Sequence, residues 1–103
     1  MTTTALITGA NKGIGFATAQ LLSARGVTAL LGARDPERGQ LAERALHEQG
    51  AAAARYVPLD VTDEKSAAQA AAWIDIEYGQ LDILVNNAGI SRQEGSGAPS
   101  ETT

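Results

Sequence analysis

The sequence predicts an α/β fold, namely the N-terminal half of a doubly wound parallel sheet with flanking helices. Short apolar runs rich in Leu, Ile and Val alternate with longer segments whose apolar residues have helical spacing. Three helical crossovers that join four strands give a parallel sheet. Right-handed crossovers predict the strand order 3-2-1-4, with the first two helices on one face of the sheet and the third on the other.

The predicted strands are too short for helices and are bounded by Gly, Asp or Asn. They are Ala5–Thr8, Val27–Gly32, Arg55–Leu59 and Leu81–Val85. The predicted helices between them are Gly13–Ala24, Pro36–Gln49 and Asp63–Tyr78. Their predicted apolar stripes consist of Ile14, Ala17, Leu21 and Leu22, then Leu41, Ala45 and Leu46, then Ala67, Ala71, Ile74 and Tyr78.

The ends of the helices have recognisable capping residues. Asp35 precedes a first-turn proline, and Thr62 precedes an acidic first turn, so both are predicted N-caps. Gly26, Gly50 and Gly79 stand where glycines that end helices occur.

Composition limits the classes of function. The 103 residues carry 8 basic and 12 acidic side chains, a net charge of −4, so a nucleic acid or an anionic membrane is not an expected partner. The chain has no cysteine and no apolar run of the roughly 20 residues that a membrane span needs, so we expect no leader and a cytoplasmic location. Residues 1–90 are predicted to form one domain, and the polar residues 91–103 a disordered tail.

The segment "ITGANKGIG", from Ile7 to Gly15, joins the first strand to the first helix. A glycine-rich turn that opens a helix directs backbone N–H groups and the helix dipole at one point, which suits a phosphate. We expect Gly9 to permit the tight turn, Gly13 to let the backbone meet a pyrophosphate, and Gly15 to allow close approach of helix and strand or cofactor. A flexible turn is the alternative interpretation, and the strand–turn–helix context favours phosphate binding.

The end of the second strand selects between dinucleotides. An acidic residue there suits the ribose hydroxyls of NAD, and a basic one suits a 2′-phosphate. In "LLGARDPERGQ", Ala33 occupies the expected acidic position, followed by Arg34 and Arg38, while Lys12 lies in the glycine loop. Guanidinium groups match phosphate geometry, so NADP(H) is favoured. There are two alternatives. The arginines could form ion pairs with Asp35 and Glu37 at an exposed helix start, or Asp35 could bind the hydroxyls of a ribose.

Three separated motifs, "TGANKGIG", "LDVTD" and "LVNNAG", resemble the N-terminal half of the short-chain dehydrogenase/reductase family. Within that family, the "NKGIG" loop, "ARDPERG" and "EYGQLDILVNNAGI" are most similar to NADPH-dependent carbonyl reductases. The resemblance covers about Ala5 to Ile90. It implies a Rossmann-type fold and an oxidoreductase that transfers hydride between NADPH and a carbonyl.

The resemblance also implies roles for individual residues. Asn11, Lys12 and Ile14 would belong to the phosphate loop, Arg34 and Arg38 to the 2′-phosphate, and Asp60 with Val61 to the adenine pocket. Asn87, Ala88 and Gly89 would border the ribose, and Asn86 with Thr8 would hold the first and fourth strands together. Taken without the family, Asp60 is an ordinary turn acid and the asparagines a strand-ending turn.

The family's catalytic Tyr-x-x-x-Lys does not occur in the 103 residues, because Tyr56 is followed four residues later by Asp60, and Tyr78 by Asp82. We therefore expect a truncated product or fragment, inactive alone, with no catalytic residue and no metal site. A dinucleotide is the expected partner, and a carbonyl substrate only in a longer form. The alternative is a non-catalytic nucleotide-binding or interaction module. The fourth-strand edge is a candidate surface for self-association.

Overall fold

The computed structural model describes residues 2–87. Four strands and three helices alternate along the chain. The strands are β1 (Thr4–Thr8), β2 (Thr28–Ala33), β3 (Arg55–Pro58) and β4 (Ile83–Val85). The helices are α1 (Gly13–Ala24), α2 (Pro36–Glu48) and α3 (Glu64–Tyr78). The predicted segments 88–90 and 91–103 lie outside the described residues.

The sheet is parallel and has the order β3-β2-β1-β4, which confirms the predicted topology. In the register of the two central strands, Thr4 stands opposite Thr28 and Thr8 opposite Gly32. β4 pairs with β1 through three residues, with Leu84 opposite Leu6. Because all four strands run in one direction, the loops that follow them meet at one edge of the sheet.

The sheet separates two apolar clusters. Ile7 and Leu31 pack with Ala19 of α1 and Leu46 of α2 on one face. On the other face, Leu30 and Val57 belong to a cluster with Ala70 and Ile74 of α3. Successive residues of a strand point to opposite faces, so Leu30 and Leu31 join different clusters. The predicted distribution of helices over the two faces is therefore confirmed.

Mostly small residues face the sheet from the helices, together with the predicted Leu46 and Ile74. The buried helical residues are Gly15 and Ala19 in α1, Gly39, Ala42 and Leu46 in α2, and Ala70 and Ile74 in α3. Ile14, Leu21 and Leu41 were wrong as core residues, because their side chains are 75%, 64% and 53% exposed. The approach is closest at individual glycines, such as Gly39, where a Cβ would collide with the ring of Tyr56.

The caps agree with the prediction at all but one position. The side chain of Asp35 accepts hydrogen bonds from the backbone N–H groups of Glu37 and Arg38. α3 is capped by Asp63, which accepts from Lys65 N at 3.0 Å, and not by Thr62. Thr62 instead donates to Asp60, which leaves the capping position to the next residue. Gly26, Gly50 and Gly79 all have positive φ, as predicted for glycines at helix ends.

β4 is shorter than the predicted strand, because Leu81 and Asp82 precede it. Asp82 nevertheless ties this segment to β1. Its backbone N–H donates to Thr4 O at 2.9 Å, and its carboxylate accepts from Thr4 N at 2.8 Å. The carboxylate also accepts from the side chain of Gln80. A side chain thus takes over a hydrogen bond that the strand ladder would otherwise make.

An apolar cavity of about 430 Å³ lies between α3 and the β1–β4 pair. Its lining includes Leu6, Leu59, Ile74, Leu81 and Leu84. Leu84 is 61% exposed, although it lies in a strand. This face of the sheet is therefore only partly covered by the described residues. None of the helices within residues 2–87 has the length and apolar character needed to cross a membrane.

Candidate nucleotide-binding site

A pocket of about 860 Å³ lies where the loops after all four strands meet. It is lined by Gly9, Asn11, Lys12, Gly13, Ile14, Ala33, Arg34, Asp35, Arg38, Leu59, Asp60, Val61, Thr62 and Asn87. Ten of the predicted site residues are in this set. Gly15 lies buried directly beside the loop, and Ala88 and Gly89 lie outside the described residues. The structure therefore brings those predicted cofactor residues that it describes together at the carboxyl edge of the sheet.

Gly9 and Gly13 give the loop its shape. Their φ angles are +61° and +62°, a conformation that residues with a Cβ rarely adopt. A Cβ built on Gly13 would have no heavy atom of the described residues within 4 Å, because it would point into open space. The loop backbone at Gly13 is thus accessible to a ligand in the pocket.

Gly15 is required for a different reason. A Cβ at this position would collide with the carbonyl oxygen of Gly9 and would lie 2.8 Å from Nδ2 of Asn87. That same Nδ2 donates a hydrogen bond to Gly9 O at 3.2 Å. Asn87 therefore fastens the glycine loop to the end of β4, a role in addition to the ribose contact that the family resemblance implies.

The first turn of α1 faces the pocket with its N–H groups uncapped. Among the residues that the structure describes, no side chain caps this turn, and the N-cap residue is Lys12. By contrast, Asp35 and Asp63 cap α2 and α3, and each of those helices has a glutamate in its first turn. Uncapped N–H groups and a positive dipole end, with a lysine beside them, form a place for an anion.

Three cationic side chains line the same pocket: Lys12, Arg34 and Arg38. Ala33 at the end of β2 is 3% exposed and has no acceptor on its side chain. Arg38 forms an ion pair with Asp35, with 3.6 Å between Nε and Oδ2, and these side chains are 62% and 50% exposed. The sequence offered an ion pair between Arg38 and Asp35 as an alternative to phosphate binding. The structure contains this ion pair, but both side chains still line the pocket.

Asp60 organises the turn after β3. Its Oδ1 accepts from the backbone N–H of Thr62 at 2.9 Å and from the Thr62 hydroxyl at 2.6 Å. Its own N–H donates to Ser66 Oγ at 2.8 Å. These bonds present Asp60 and its neighbour Val61, which is 42% exposed, along the pocket wall. Ser66 and Thr62 were not among the predicted site residues. They act through hydrogen bonds with Asp60, which the sequence motif alone does not reveal.

Comparison with known proteins assigns the family. The family model for the short chain dehydrogenases matches residues 3–102. The chain belongs to this family.

Relatives of this chain include carbonyl reductase [NADPH] 1 of Mus musculus, 47% identical over 88 residues, or 84% of this chain and 31% of the relative. The (-)-isopiperitenone reductase of Mentha piperita is 45% identical over 93 residues, which are 87% of this chain and 30% of the relative. The chain thus spans about a third of the length of these relatives.

Solved structures agree with this assignment. Menthone neomenthol reductase from Mentha piperita superposes with a TM-score of 0.80 and 32% identity, over 93% of this chain and 38% of that one. L-sorbose reductase from Gluconobacter frateurii, solved with NADPH and L-sorbose, gives a TM-score of 0.78 and 32% identity, over 84% of this chain and 33% of that one.

Thr8 links β1 to the end of β4. Its hydroxyl donates towards Asn86 Oδ1 at 3.2 Å and Val85 O at 3.4 Å. The contact between Thr8 and Asn86 that the family resemblance implied is therefore present.

Neither tyrosine of the chain belongs to the described lining of the pocket. Tyr56 donates to Ala33 O at 3.4 Å, and its ring lies against Gly39. Burial raises the pKa of the Tyr56 phenol above 10.0, and the negative charge of Asp35 adds to the rise. A phenol with a raised pKa is a poorer proton donor near neutral pH.

Proposed function

We propose that this chain is the NADP(H)-binding portion of a short-chain dehydrogenase/reductase. In the complete enzyme, bound NADPH would supply a hydride to a substrate carbonyl. The observation that carries the proposal is the convergence of an uncapped helix N-terminus, an open glycine backbone and three cations on one pocket. The NADPH named for the Mus musculus relative and for the L-sorbose reductase structure supports the choice of cofactor.

The residues of the chain divide the work of binding. The N–H groups at the start of α1, with Gly13 open beside them, would hold the pyrophosphate. Lys12, Arg34 and Arg38 would hold the 2′-phosphate by charge-assisted hydrogen bonds. The wall formed by Asp60 and Val61 would take the adenine.

Proton transfer is not assigned to these residues. The sequence has no Tyr-x-x-x-Lys, and neither tyrosine belongs to the described pocket lining. A carbonyl substrate is therefore proposed only for a longer form of the protein. A non-catalytic nucleotide-binding module remains the second candidate, and a downstream reading frame that encodes Tyr-x-x-x-Lys would decide against it. The proposal includes a cytoplasmic location and no nucleic-acid or membrane partner.

The proposal predicts that the chain binds NADPH more tightly than NADH. Each charge-assisted contact with the phosphate contributes about 1.5–3 kcal/mol, or roughly tenfold or more in affinity. Arg34→Asp replaces an attraction by a repulsion, so we expect NADPH affinity to fall by roughly 100-fold and NADH affinity to change little. Isothermal titration calorimetry of both cofactors measures this selectivity.

Arg44→Asp is the matched control. It makes the same change of charge at an exposed position of α2 that is not part of the pocket lining. We expect its NADPH affinity to stay within about twofold of that of the wild type, because exposed charges beyond the pocket are screened. Equal affinity of the wild-type chain for NADPH and NADH would contradict the proposed cofactor.

A further inference from the structure

Two carboxylates, Asp35 and Asp60, line the pocket, and Asp35 lies beside Arg38. Asp35 lines the pocket together with Lys12, Arg34 and Arg38. Its Oδ2 lies 3.6 Å from Nε of Arg38. Arg38 therefore has a counter-ion within the chain before any cofactor arrives.

The helix cap fixes this carboxylate in place. Oδ1 of Asp35 accepts from Glu37 N at 3.0 Å and from Arg38 N at 3.4 Å. If the side chain turned away from the pocket, both N–H groups at the start of α2 would lose their acceptor. The negative charge is therefore a constant feature of the site, and a phosphate has to bind in its presence.

We propose that Asp35 is a specificity-determining residue that limits the preference for NADPH over NADH, because a 2′-phosphate has to take Arg38 from it and bind beside its charge. This inference rests on the proposed function, since it assumes a dinucleotide in the pocket.

Two opposing effects decide whether Asp35 raises or lowers the affinity for NADPH. Asp35 helps to orient Arg38, but an ion pair between half-exposed side chains contributes little. A phosphate monoester carries a charge of about −1.5 to −2 near neutral pH, and a carboxylate beside the same guanidinium repels it. We therefore expect the repulsion between Asp35 and the 2′-phosphate to outweigh the benefit of orienting Arg38. NADH has a hydroxyl in place of the 2′-phosphate, so it escapes the repulsion and can donate a hydrogen bond to a carboxylate.

The test removes the negative charge of Asp35 but keeps its side-chain cap on α2. Asn is as good an N-cap residue as Asp, so Asp35→Asn retains an oxygen for the N–H groups of α2. We expect NADPH to bind roughly three- to tenfold more tightly to Asp35→Asn than to the wild type, whereas NADH affinity is unchanged or lower. Calorimetry on the full 103-residue chain at low and at physiological salt gives both affinities, and the gain should shrink as salt rises.

Glu37→Gln is the matched control, because it removes the same charge within the same helical turn from a side chain outside the pocket lining. We expect less than a twofold change in NADPH affinity. Asp35→Ser, which also keeps a capping oxygen, serves as the second variant if Asp35→Asn does not fold.

Three results would overturn the inference. NADPH affinity could be unchanged or lower in both capped Asp35 variants, it could rise equally in Glu37→Gln, or NADH affinity could rise in parallel with it. If the wild type prefers NADPH and one of these results is found, only the role of Asp35 fails. If the wild type shows no preference for NADPH, the proposed function fails, and the role of Asp35 fails with it.

Discussion

At the scale of single residues, Gly13 and Gly15 stand two positions apart and meet opposite demands. Gly13 has a φ of +62° and open space in front of it, whereas Gly15 is buried against Gly9 and Asn87. Both roles were predicted from the sequence motif, in which Gly13 was expected to expose its backbone to a pyrophosphate and Gly15 to allow a close approach of helix and strand or cofactor. The motif could not show that Asn87 is the partner at this contact, because that residue lies 72 positions farther along the chain.

We expect the two glycines to respond differently to substitution. Gly15→Ala pushes a methyl group into Gly9 O and Asn87, so the free energy of unfolding should fall by about 1–3 kcal/mol. Gly13→Val should abolish cofactor binding while lowering stability by only about 1–2 kcal/mol, the cost of a left-handed conformation with a Cβ. Urea unfolding and NADPH calorimetry separate the two effects. Undiminished NADPH binding by Gly13→Val, or wild-type stability of Gly15→Ala, would contradict these roles.

At the scale of elements, α2 lies against β3 with almost no space between them. Gly39 is the point of contact, because a Cβ there would overlap the ring of Tyr56. Tyr56 is further held by its backbone N–H, which donates to the carboxylate of Glu43 on the same helix at 2.9 Å. The ring thus sets how closely the helix approaches the strand.

This contact reverses the usual effect of Gly→Ala in a helix. Alanine ordinarily gains about 0.5–1 kcal/mol over glycine there, but the collision with Tyr56 costs about 1–3 kcal/mol. We expect Gly39→Ala to destabilise the wild type by about 1 kcal/mol and to stabilise the Tyr56→Val variant by about 0.5–1 kcal/mol. Urea unfolding of the four proteins of this double-mutant cycle measures both values. A gain in stability in the wild-type background would mean that the ring does not limit the approach of the helix.

The elements themselves could be predicted from periodicity, because strands and helices differ in spacing and their ends carry Pro, Asp and Gly. The buried faces were harder to predict. Leu41 follows the helical period yet is exposed, and Gly39 takes the sheet-facing position instead. Hydrophobicity identifies a stripe, whereas the distance between helix and sheet decides which residues of the stripe fit. That distance is a tertiary property which the sequence pattern does not contain.

At the scale of the whole molecule, one edge of the sheet and the face beside it are only partly covered. β4 pairs with β1 alone among the described strands, and Leu84 and Leu81 border the apolar cavity next to it. The chain also spans about a third of its relatives' length. Unpaired strand edges and exposed apolar surface both favour association.

We expect the isolated chain to self-associate in a concentration-dependent manner, with the β4 edge as the contact. Leu84→Lys puts a charge on this edge and should shift the chain towards monomer. Leu41→Lys makes the same change at a position of α2 that is 53% exposed and should leave association unaltered. Size-exclusion chromatography with light scattering over a dilution series measures the mass. A wild-type chain that stays monomeric at all concentrations would contradict this prediction.

The central claim is that the pocket holds NADP(H), with the pyrophosphate at the glycine loop and the 2′-phosphate at the basic corner. Titration of the ¹⁵N-labelled chain with NADPH and with NADH, followed by backbone amide NMR, tests it most directly. Both cofactors should shift the amides of residues 9–15, and only NADPH should produce large shifts at Arg34 and Arg38. Identical shifts with both cofactors, or shifts confined to residues outside the pocket, would contradict the claim.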